Sequence, residues 1–358
     1  MKICLFADSD SIHTIRWCNY FVELGHDVHL ISFKPSKVLN VSNYFVQTGN
    51  INVRGGNWKV LLHFRKVKSI LKRINPDVFH AHYATSYGIT GALCNFHPFV
   101  ITALGSDVLI SPDQSRILKK MLVWALKRAD WITSMADHMS LKINSLIKQP
   151  NKVTTLPFGI DTTVFYEKNN RKNTEDNFVI VSTRNFEPVY NLSHLILAYK
   201  KIVDKIPHSK LVMIGAGSQK VEIHKLVNDL ELDEFVEFKG KLTQPEISNE
   251  LNNSHLFVSV SKSDGNNISL NEAMACGTLC IATKIPANVQ WIEDSVNGYL
   301  VEIDDVDGLA SIILKCYNNF DEFQNSALPI NRKIISEKAD WKHNMSAVIG
   351  KYEFLIKK

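Results

Sequence analysis

The chain has 358 residues, of which 45% are apolar and 22% are charged. At roughly 100–200 residues per domain, this length predicts two domains, each with enough apolar residues for its own core. No stretch of about 18 uncharged apolar residues occurs, so we expect no membrane-spanning helix. The first apolar run, Lys2–Ala7, is followed by Asp8 and Asp10 rather than by the small residues of a cleavage site. It therefore predicts a buried strand and not a signal peptide.

Charge is distributed unevenly along the chain. Residues 1–168 carry 20 Lys and Arg against 11 Asp and Glu, whereas residues 169–358 carry 21 against 25. An anionic partner is therefore expected for the first half only. Nucleic acid is disfavoured as that partner, because we find neither a base-reading motif nor aromatic residues interleaved with the basic ones.

The cysteines indicate neither a disulfide framework nor a zinc site. They are scattered through apolar segments, and only Cys276 and Cys280 lie near each other, without a second pair. We therefore predict reduced core cysteines and a cytoplasmic protein.

In the first half, strand signals alternate with helical ones, which predicts a parallel sheet built of βαβ units. The predicted strands are Lys2–Ala7, Asp27–Phe33, Asp77–His80, Phe99–Ala103, Trp131–Ser134 and Lys152–Thr155. The predicted helices are Ile12–Leu24, Trp58–Ile74, Ser86–Asn95 and one around Ile117–Lys127.

The segment Pro157–Asn177 interrupts this rhythm with proline, glycine and a polar run, and is predicted to be an interdomain linker. A second alternating series follows it. Its predicted strands are Phe178–Ser182, Lys210–Ile214, Phe235–Lys239 and Leu256–Val258, and its predicted helices are Leu192–Lys205, Lys220–Asn228 and one capped at Thr243.

We accordingly expect an α/β protein with an N-terminal domain at residues 1–165 and a C-terminal domain at residues 166–339. The last helix, within residues 340–358, lies beyond the second sheet and is expected to pack back on the first domain. Two Rossmann-like domains with parallel sheets facing a central cleft are the simplest architecture. Ligands in such sheets bind at the carboxyl ends of the strands.

The richest motif runs from Val258 to Gly277, where a strand leads into a glycine-containing loop and a helix begins near Ile268. Loop amides and a helix N-terminus together form an anion site, and Gly265 can adopt the positive φ angles that let a backbone approach a phosphate. The amides concerned belong to Gly265, Asn266, Asn267 and Ile268.

Two carboxylates flank this anion site. Asp264 lies at the loop entrance, and Glu272, eight positions later, falls one turn into the helix. A diphosphate on the amides, one carboxylate for sugar hydroxyls and another for ribose hydroxyls would form a nucleotide-sugar site. An aspartate capping an ordinary helix is the simpler alternative.

A second signal is Arg184, which follows the strand Phe178–Ser182 and can reach a phosphate with bidentate geometry. The next two strands end at Gly215-Ala216-Gly217 and Gly240-Lys241-Leu242. Tight strand–helix packing explains the glycines of the first segment as well as a place in a ligand site does, and an ordinary turn explains the second segment.

The stretch from Val258 to Gly277 resembles the signature of the retaining glycosyltransferases of the GT-B fold, the group 1 or family-four type. In that family two glutamates separated by seven residues contact the transferred sugar and the ribose. The resemblance implies these roles for Asp264, which replaces the first glutamate, and for Glu272. The residues Ala273-Met274-Ala275-Cys276-Gly277 match the family almost letter for letter.

The resemblance extends to Arg184, which it implies neutralises the donor diphosphate. A lysine about six residues later normally assists, but here that position is Tyr190, so Lys262 is the residue expected to help carry the charge. Gly215 corresponds to the family's glycine turn. Lys241 and Leu242 correspond to a segment that packs on the nucleotide base.

The first half resembles the family more loosely. Asp77–His82 and Thr102–Asp107 match stretches at the cleft, which implies His82 and Asp107 as catalytic residues of the first domain. Relatives often have a histidine where Leu104 stands. The segment Leu156–Asp161 resembles the family's hinge and supports the domain boundary.

The resemblance implies a hexosyltransferase that retains configuration and takes a UDP-sugar, or alternatively a GDP-sugar, to a glycan or lipid-linked acceptor in cell-surface polysaccharide synthesis. We expect no metal and no cofactor, because we find no metal-ligand cluster, such as a DxD motif in a suitable loop. Two basic segments, residues 58–74 and 119–128, suit peripheral contact with an anionic membrane at its inner face, although solvated helix faces explain them as well.

Two other functions stay open at this point. A nucleotide-sugar epimerase can share two Rossmann-like domains and would form product without an acceptor. A binding-only subunit derived from a transferase is kept open by the departures at Asp264 and Tyr190.

Overall fold

A computed structural model describes residues 1–36, 38–48, 58–168 and 177–358, and for Trp58 and Lys59 it describes the backbone alone. The chain forms two compact units, Met1–Phe158 together with Met345–Lys358, and Gly159–Asn344. Residues 169–176 of the predicted linker lie outside the described part of the chain.

The first unit ends earlier than the predicted boundary at residue 165, and backbone pairing explains why. The Ile160 amide donates to the carbonyl of Ala339 at 2.8 Å, and Ile160 forms a parallel bridge with Asp340. Gly159 has φ +72°, and a Cβ there would lie 2.8 Å from the Ala339 carbonyl oxygen. The chain is therefore joined to the second unit from Gly159 onward.

The first unit contains a seven-stranded parallel sheet in the order β3-β2-β1-β4-β5-β6-β7. The inner strands are almost continuous apolar runs because helices cover both faces of such a sheet. The polar edge strand β3 was not predicted. The strands are β1 (Lys2–Phe6), β2 (Asp27–Ser32), β3 (Ser42–Phe45), β4 (Val78–His82), β5 (Phe99–Ala103), β6 (Trp131–Ser134) and β7 (Val153–Thr155).

The helices of the first unit are α1 (Ile12–Glu23), α2 (Phe64–Ile74), α3 (Ile89–Leu93), α4 (Ser106–Leu109), α5 (Ser111–Gln114), α6 (Arg116–Arg128) and α7 (Asp137–Ile147). The predicted helix at 58–74 divides into a 3-10 segment, Trp58–His63, and α2. The predicted helix at 86–95 divides into a π-helical turn, Ala84–Gly88, and α3. Helix α7 was not predicted, although it buries Met139, Ile143 and Ile147 at helical spacing.

The second unit contains a six-stranded parallel sheet in the order β10-β9-β8-β11-β12-β13. Apolar clusters pack on both faces of this sheet. The strands are β8 (Phe178–Ser182), β9 (Ser209–Ile214), β10 (Val236–Gly240), β11 (Leu256–Ser259), β12 (Leu279–Thr283) and β13 (Tyr299–Val301). The helices are α8 (Leu192–Lys200), α9 (Lys220–Asp229), α10 (Gln244–Asn252), α11 (Ile268–Ala275), α12 (Pro286–Val289), α13 (Val306–Asn318) and α14 (Phe320–Ile334).

The last helix, α15 (Trp341–Ile356), belongs to both units, because the chain returns to the first unit at Met345. Its Tyr352 hydroxyl is hydrogen-bonded to Nδ1 of His80 at 2.5 Å. Nε2 of His80 lies 2.6 Å from the Thr102 hydroxyl, which lies 2.6 Å from that of Thr133. A buried polar chain therefore connects α15 with β4, β5 and β6.

The cysteines are all buried thiols, in agreement with the prediction of core cysteines. Burial raises the pKa of the Cys18, Cys94 and Cys316 thiols to about 12. They are Cys4, Cys18, Cys94, Cys276, Cys280 and Cys316.

Candidate functional site

Arg184 is the centre of a buried polar cluster in the second unit. It follows β8, and its side chain is 7% exposed. Its Nη2 donates to Oδ2 of Asp264 at 2.5 Å, and its Nη1 donates to Oδ1 of Asn267 at 2.9 Å. The Tyr190 ring centroid lies 4.1 Å from its Cζ, while its Nε is buried and makes no hydrogen bond within the described residues. Arg184 and Asp264 meet because β8 and β11 are paired, so their carboxyl ends adjoin.

Asn267 fixes the start of α11 beside Arg184. Its Oδ1 also accepts the amide of Leu270, which satisfies one of the free donors of the helix N-terminus. Its Nδ2 donates to the Ser259 hydroxyl at 3.0 Å and to Oδ1 of Asn288 at 2.9 Å. This fully buried amide therefore bonds an arginine, a helix terminus and two neighbouring segments at once.

The loop before α11 is held by a second amide side chain. Oδ1 of Asn266 accepts a hydrogen bond from Nε1 of Trp291 at 2.9 Å. Gly265 is not one of the described glycines with a positive φ, so the loop does not use the left-handed conformation that we predicted there. Ile268 is the first residue of α11, as predicted.

Glu272 lies on α11 and is half-buried. It is one turn beyond Ser269, whose hydroxyl lies 3.5 Å from Nη1 of Arg184. The predicted role of Glu272 at the ribose stays a prediction, as does that of Asp264 at the transferred sugar.

The glycine turn after β9 is required by close packing. Gly215 has φ +144°, and a Cβ there would lie 2.6 Å from the backbone oxygen of Arg184. A Cβ on Gly217 would lie 2.3 Å from the backbone oxygen of Phe186. These glycines therefore let the turn pack against the segment that carries Arg184, which is the simpler of the two readings given above.

The turn after β10 is more exposed than the Arg184 cluster. Gly240 has φ +65°, and a Cβ there would have no neighbouring atom within 4 Å beyond the adjacent residues. Lys241 is exposed, and Leu242 is half-buried against the apolar cluster on one face of the sheet. Their contact with a nucleotide base stays a prediction.

Among the described contacts Lys262 pairs with Asp304 and not with the Arg184 cluster, and its help with the charge of the diphosphate stays a prediction. Its Nζ lies 3.0 Å from Oδ1 of Asp304, which also accepts from Nε2 of His194 at 3.2 Å. The hydrogen bond from Lys262 lowers the pKa of the Asp304 carboxyl.

His82, at the carboxyl end of β4 in the first unit, is 2% exposed and packs among aromatic rings. The ring centroids of Trp17 and His80 lie 4.8 Å and 4.6 Å from its own. Neither ring nitrogen makes a hydrogen bond within the described residues. Burial lowers the pKa of His82 to about 3, with a smaller contribution from His13, so the imidazole is neutral at pH 7 and a weak base.

Asp107 is fully buried, and its carboxylate is directed at backbone amides. Oδ2 accepts from Ala84 at 2.6 Å, and Oδ1 accepts from Leu104 at 3.1 Å and from Gly105 at 2.8 Å. Burial raises the pKa of this carboxyl, and the amides oppose that rise. Through these hydrogen bonds Asp107 holds together the segments around Ala84 and Gly105, and its catalytic role stays a prediction.

The contacts of three important side chains were not predicted from the sequence. Asn267 was predicted only for its backbone amide, although an asparagine directly before a helix is a recognised N-cap signal. Asn288 and the ring position of Tyr190 had no signal, because both depend on packing between distant segments.

Within the described ranges, no group of three or more His, Cys, Asp or Glu side chains is arranged to hold a metal ion. No helix there is both long enough and apolar enough to cross a membrane.

Comparison with known families now identifies the class of protein. A family model described as glycosyl transferase 4-like matches residues 2–136, and one described as glycosyl transferases group 1 matches residues 165–328. The chain belongs to the group 1 glycosyltransferases. The prediction of a group 1 glycosyltransferase is therefore confirmed.

Individual relatives of this glycosyltransferase are distant. N-acetyl-alpha-D-glucosaminyl L-malate synthase of Bacillus anthracis is 26% identical over 311 residues, covering 80% of this chain and 79% of its own. UDP-Gal:alpha-D-GlcNAc-diphosphoundecaprenol alpha-1,3-galactosyltransferase of Escherichia coli is 25% identical over 271 residues, covering 69% and 67%. Anabaena Alr3699/HepE in complex with UDP superposes with a TM-score of 0.83 at 17% identity, covering 99% and 100%. The fold prediction of two parallel-sheet α/β domains of the GT-B class is thereby confirmed.

Proposed function

We propose that this group 1 glycosyltransferase moves a hexose from a UDP-sugar to a glycan or lipid-linked acceptor, with retention of anomeric configuration. The buried guanidinium of Arg184 carries the proposal. Its Nε has no partner within the described residues, and its Nη2 bonds the partly exposed Asp264 at 2.5 Å. Planar, bidentate donation to phosphate oxygens is the interaction for which arginine is suited.

The second support is the neighbourhood of Arg184. The start of α11, at the positive end of the helix dipole, adjoins the guanidinium through Asn267 and Ser269. A diphosphate in this position would face one fixed cation and one helix terminus. Charge on the departing diphosphate would thus be stabilised by groups that need not reorganise during the reaction.

The relatives support the choice of uridine and the acceptor class. Structures of HepE hold UDP and UDP-glucose, and the Escherichia coli relative is named for UDP-Gal and a diphosphoundecaprenol acceptor. We infer the same donor base here, with GDP-sugars as the second choice, and a role in cell-surface polysaccharide synthesis.

In the proposed reaction the bond from the anomeric carbon to the phosphate oxygen breaks as the acceptor oxygen bonds that carbon on the same face. The departing phosphate takes the acceptor proton, so no strong protein base is needed. His82, with a pKa of about 3, would be a poor base in any case. Asp264 would orient sugar hydroxyls, Glu272 would hold the ribose, and positioning would supply much of the rate. We propose that no divalent metal takes part.

A lipid-linked acceptor would be reached from a membrane surface, at its inner face. In the first unit, α2 and α6 expose basic residues, and α6 also exposes Ile117 and Trp124. Each exposed cation would contribute about 1 kcal/mol near anionic headgroups. The exposed cations of the two helices are Arg65, Lys66, Lys72, Arg73, Arg116, Lys119, Lys120 and Lys127. Flotation with liposomes should then increase with anionic lipid content, and equal flotation with neutral liposomes would remove the membrane contact.

The deciding experiment is a thermal-shift panel of UDP, GDP, ADP and CMP in EDTA, on the wild type and on Arg184→Ala. A ligand at about 100 times its Kd stabilises the folded protein by about 2.7 kcal/mol. We expect UDP to raise the Tm of the wild type and not that of the variant. If no nucleotide stabilises the wild type, the donor site is wrong.

Product analysis tests the reaction itself. With donor and acceptor in EDTA, nuclear magnetic resonance of the product should show the anomeric configuration of the donor. An epimerised nucleotide sugar formed without acceptor would identify an epimerase instead. Complete loss of transfer in EDTA, restored by manganese, would contradict the metal-independent mechanism.

A further inference from the structure

The guanidinium of Arg184 is covered on one face by an aromatic ring. Its Cζ lies 4.1 Å from the ring centroid of Tyr190, well within the range of a cation–π contact. Tyr190 is half-buried and packs against the apolar cluster on one side of the second sheet. The ring therefore has a fixed support behind it and the arginine in front.

The turn that carries Tyr190 is fastened on both sides. The Tyr190 amide donates to the carbonyl of Glu187 at 2.9 Å, and the Lys262 amide donates to the carbonyl of Val189 at 2.8 Å. The next residue, Asn191, donates from Nδ2 to Oδ1 of Asp304 at 3.0 Å. The position of the ring is thus set by backbone and side-chain contacts that do not involve Arg184.

A contact with the face of a guanidinium leaves its N–H donors free, since these lie in the plane. Two of the in-plane partners of Arg184 differ in character. Asn267 is fully buried and held by other groups, whereas the Asp264 side chain is 16% exposed. An incoming phosphate would therefore take the place of Asp264 on Nη2, while Asn267 and Tyr190 keep the arginine in position.

We propose that Tyr190 is a positioning residue for the donor phosphates: its ring holds the plane of the Arg184 guanidinium when a nucleotide replaces Asp264. This inference rests on the proposed function. It assigns a task to a side chain that itself need not touch the nucleotide.

Isothermal titration of UDP into the full-length protein in EDTA tests the proposal. Tyr190→Leu removes the ring, and a lost cation–π contact of about 1–2 kcal/mol corresponds to UDP binding about 5-fold to 30-fold weaker. Tyr190→Phe keeps the ring face and is expected to bind UDP within about 2-fold of the wild type. The donor KM should change in parallel with the Kd.

Tyr299→Leu is the matched control, because Tyr299 forms another cation–π contact in the same unit, with Nζ of Lys315 at 5.0 Å. Its loss should lower the Tm without changing the Kd for UDP. A double-mutant cycle then tests the route of action: in an Arg184→Ala background, titrated with enough UDP to measure its weaker binding, Tyr190→Leu should have no further effect on the Kd.

The possible results separate the two proposals. A wild type that does not bind UDP overturns the proposed function. A wild type that binds UDP, with Tyr190→Leu binding equally well, overturns the role of Tyr190 alone. If Tyr190→Leu weakens UDP binding equally with and without Arg184, the tyrosine acts by another route and its proposed role is overturned. The role is also overturned if Tyr190→Phe weakens UDP binding as much as Tyr190→Leu does.

Discussion

Replacing Asp264 by asparagine should make UDP bind more tightly and sugar transfer fail. The carboxylate bonds Nη2 of Arg184 at 2.5 Å, with side-chain exposures of 16% and 7%, so the pair is largely removed from water. In the structure Asp264 thus neutralises the cation that we assign to the donor diphosphate. A nucleotide phosphate and this carboxylate would compete for the same edge of the guanidinium.

The magnitude follows from the kind of hydrogen bond that must be exchanged. A hydrogen bond that involves a charged group contributes about 1.5–3 kcal/mol, and Asp264→Asn keeps the charged donor while it removes the charge of the acceptor, so part of this contribution is lost. Asp264→Asn therefore lowers the free energy needed to release Arg184 by about 1–2 kcal/mol, which corresponds to a Kd for UDP about 5-fold to 30-fold lower. The free variant should also have a lower Tm, because a buried guanidinium loses its counter-charge.

Titration calorimetry and thermal shift with UDP measure both effects on the same sample. Asp307→Asn is the control, since Asp307 pairs with Lys201 at 2.7 Å at a more exposed position in the same unit. It should leave the Kd for UDP unchanged. Weaker or equal UDP binding by Asp264→Asn would refute the competition, and would mean that the carboxylate assists the nucleotide. Transfer should fall in either case, because Asp264 is assigned to the sugar hydroxyls.

Three further predictions concern stability. The pKa of His82 is about 3 in the fold and about 6.5 in an unfolded chain, so stability should be lost as pH falls from about 6.5 towards 3, by up to about 1.4 kcal/mol per pH unit. His82→Phe should therefore flatten the dependence of Tm on pH between pH 6 and 4.5. An unchanged slope would contradict this. Gly217→Ala places a Cβ 2.3 Å from a backbone oxygen and should cost about 1–3 kcal/mol in urea unfolding, whereas Gly350→Ala, with open space around it, should cost nothing. Tyr352→Phe leaves Nδ1 of His80 without its buried partner and should lower the free energy of unfolding by about 1–3 kcal/mol, and an unchanged midpoint would show that the hydroxyl is dispensable.

The parts of the site predicted from sequence depend on local rules. Strand β8 and the strand before the Gly265 loop are apolar runs, and the side chains that follow parallel strands gather at one edge. That rule alone brings Arg184 and Asp264 together, and the structure places them in direct contact.

The rest depends on contacts between segments far apart in the chain. The boundary at Gly159 follows from backbone pairing with Ala339 and Asp340, which no local pattern announces. The amides around Asp107 could not be predicted from residue types, because they belong to the backbone of two loops. Local sequence patterns predict where strands end, whereas the hydrogen-bond partners of a side chain can be identified only in the folded chain.

The link between Tyr352 and His80 has a consequence for biosynthesis. The two residues are 272 positions apart, and all of the second unit lies between them. The first sheet is translated early, but the residues from Met345 that complete its unit are translated after the whole second unit. A ribosome-bound chain must therefore keep His80 without this partner until the whole second unit has been synthesised. A fragment ending at Phe158 should accordingly be a poor folding unit, although it contains every strand of the first sheet.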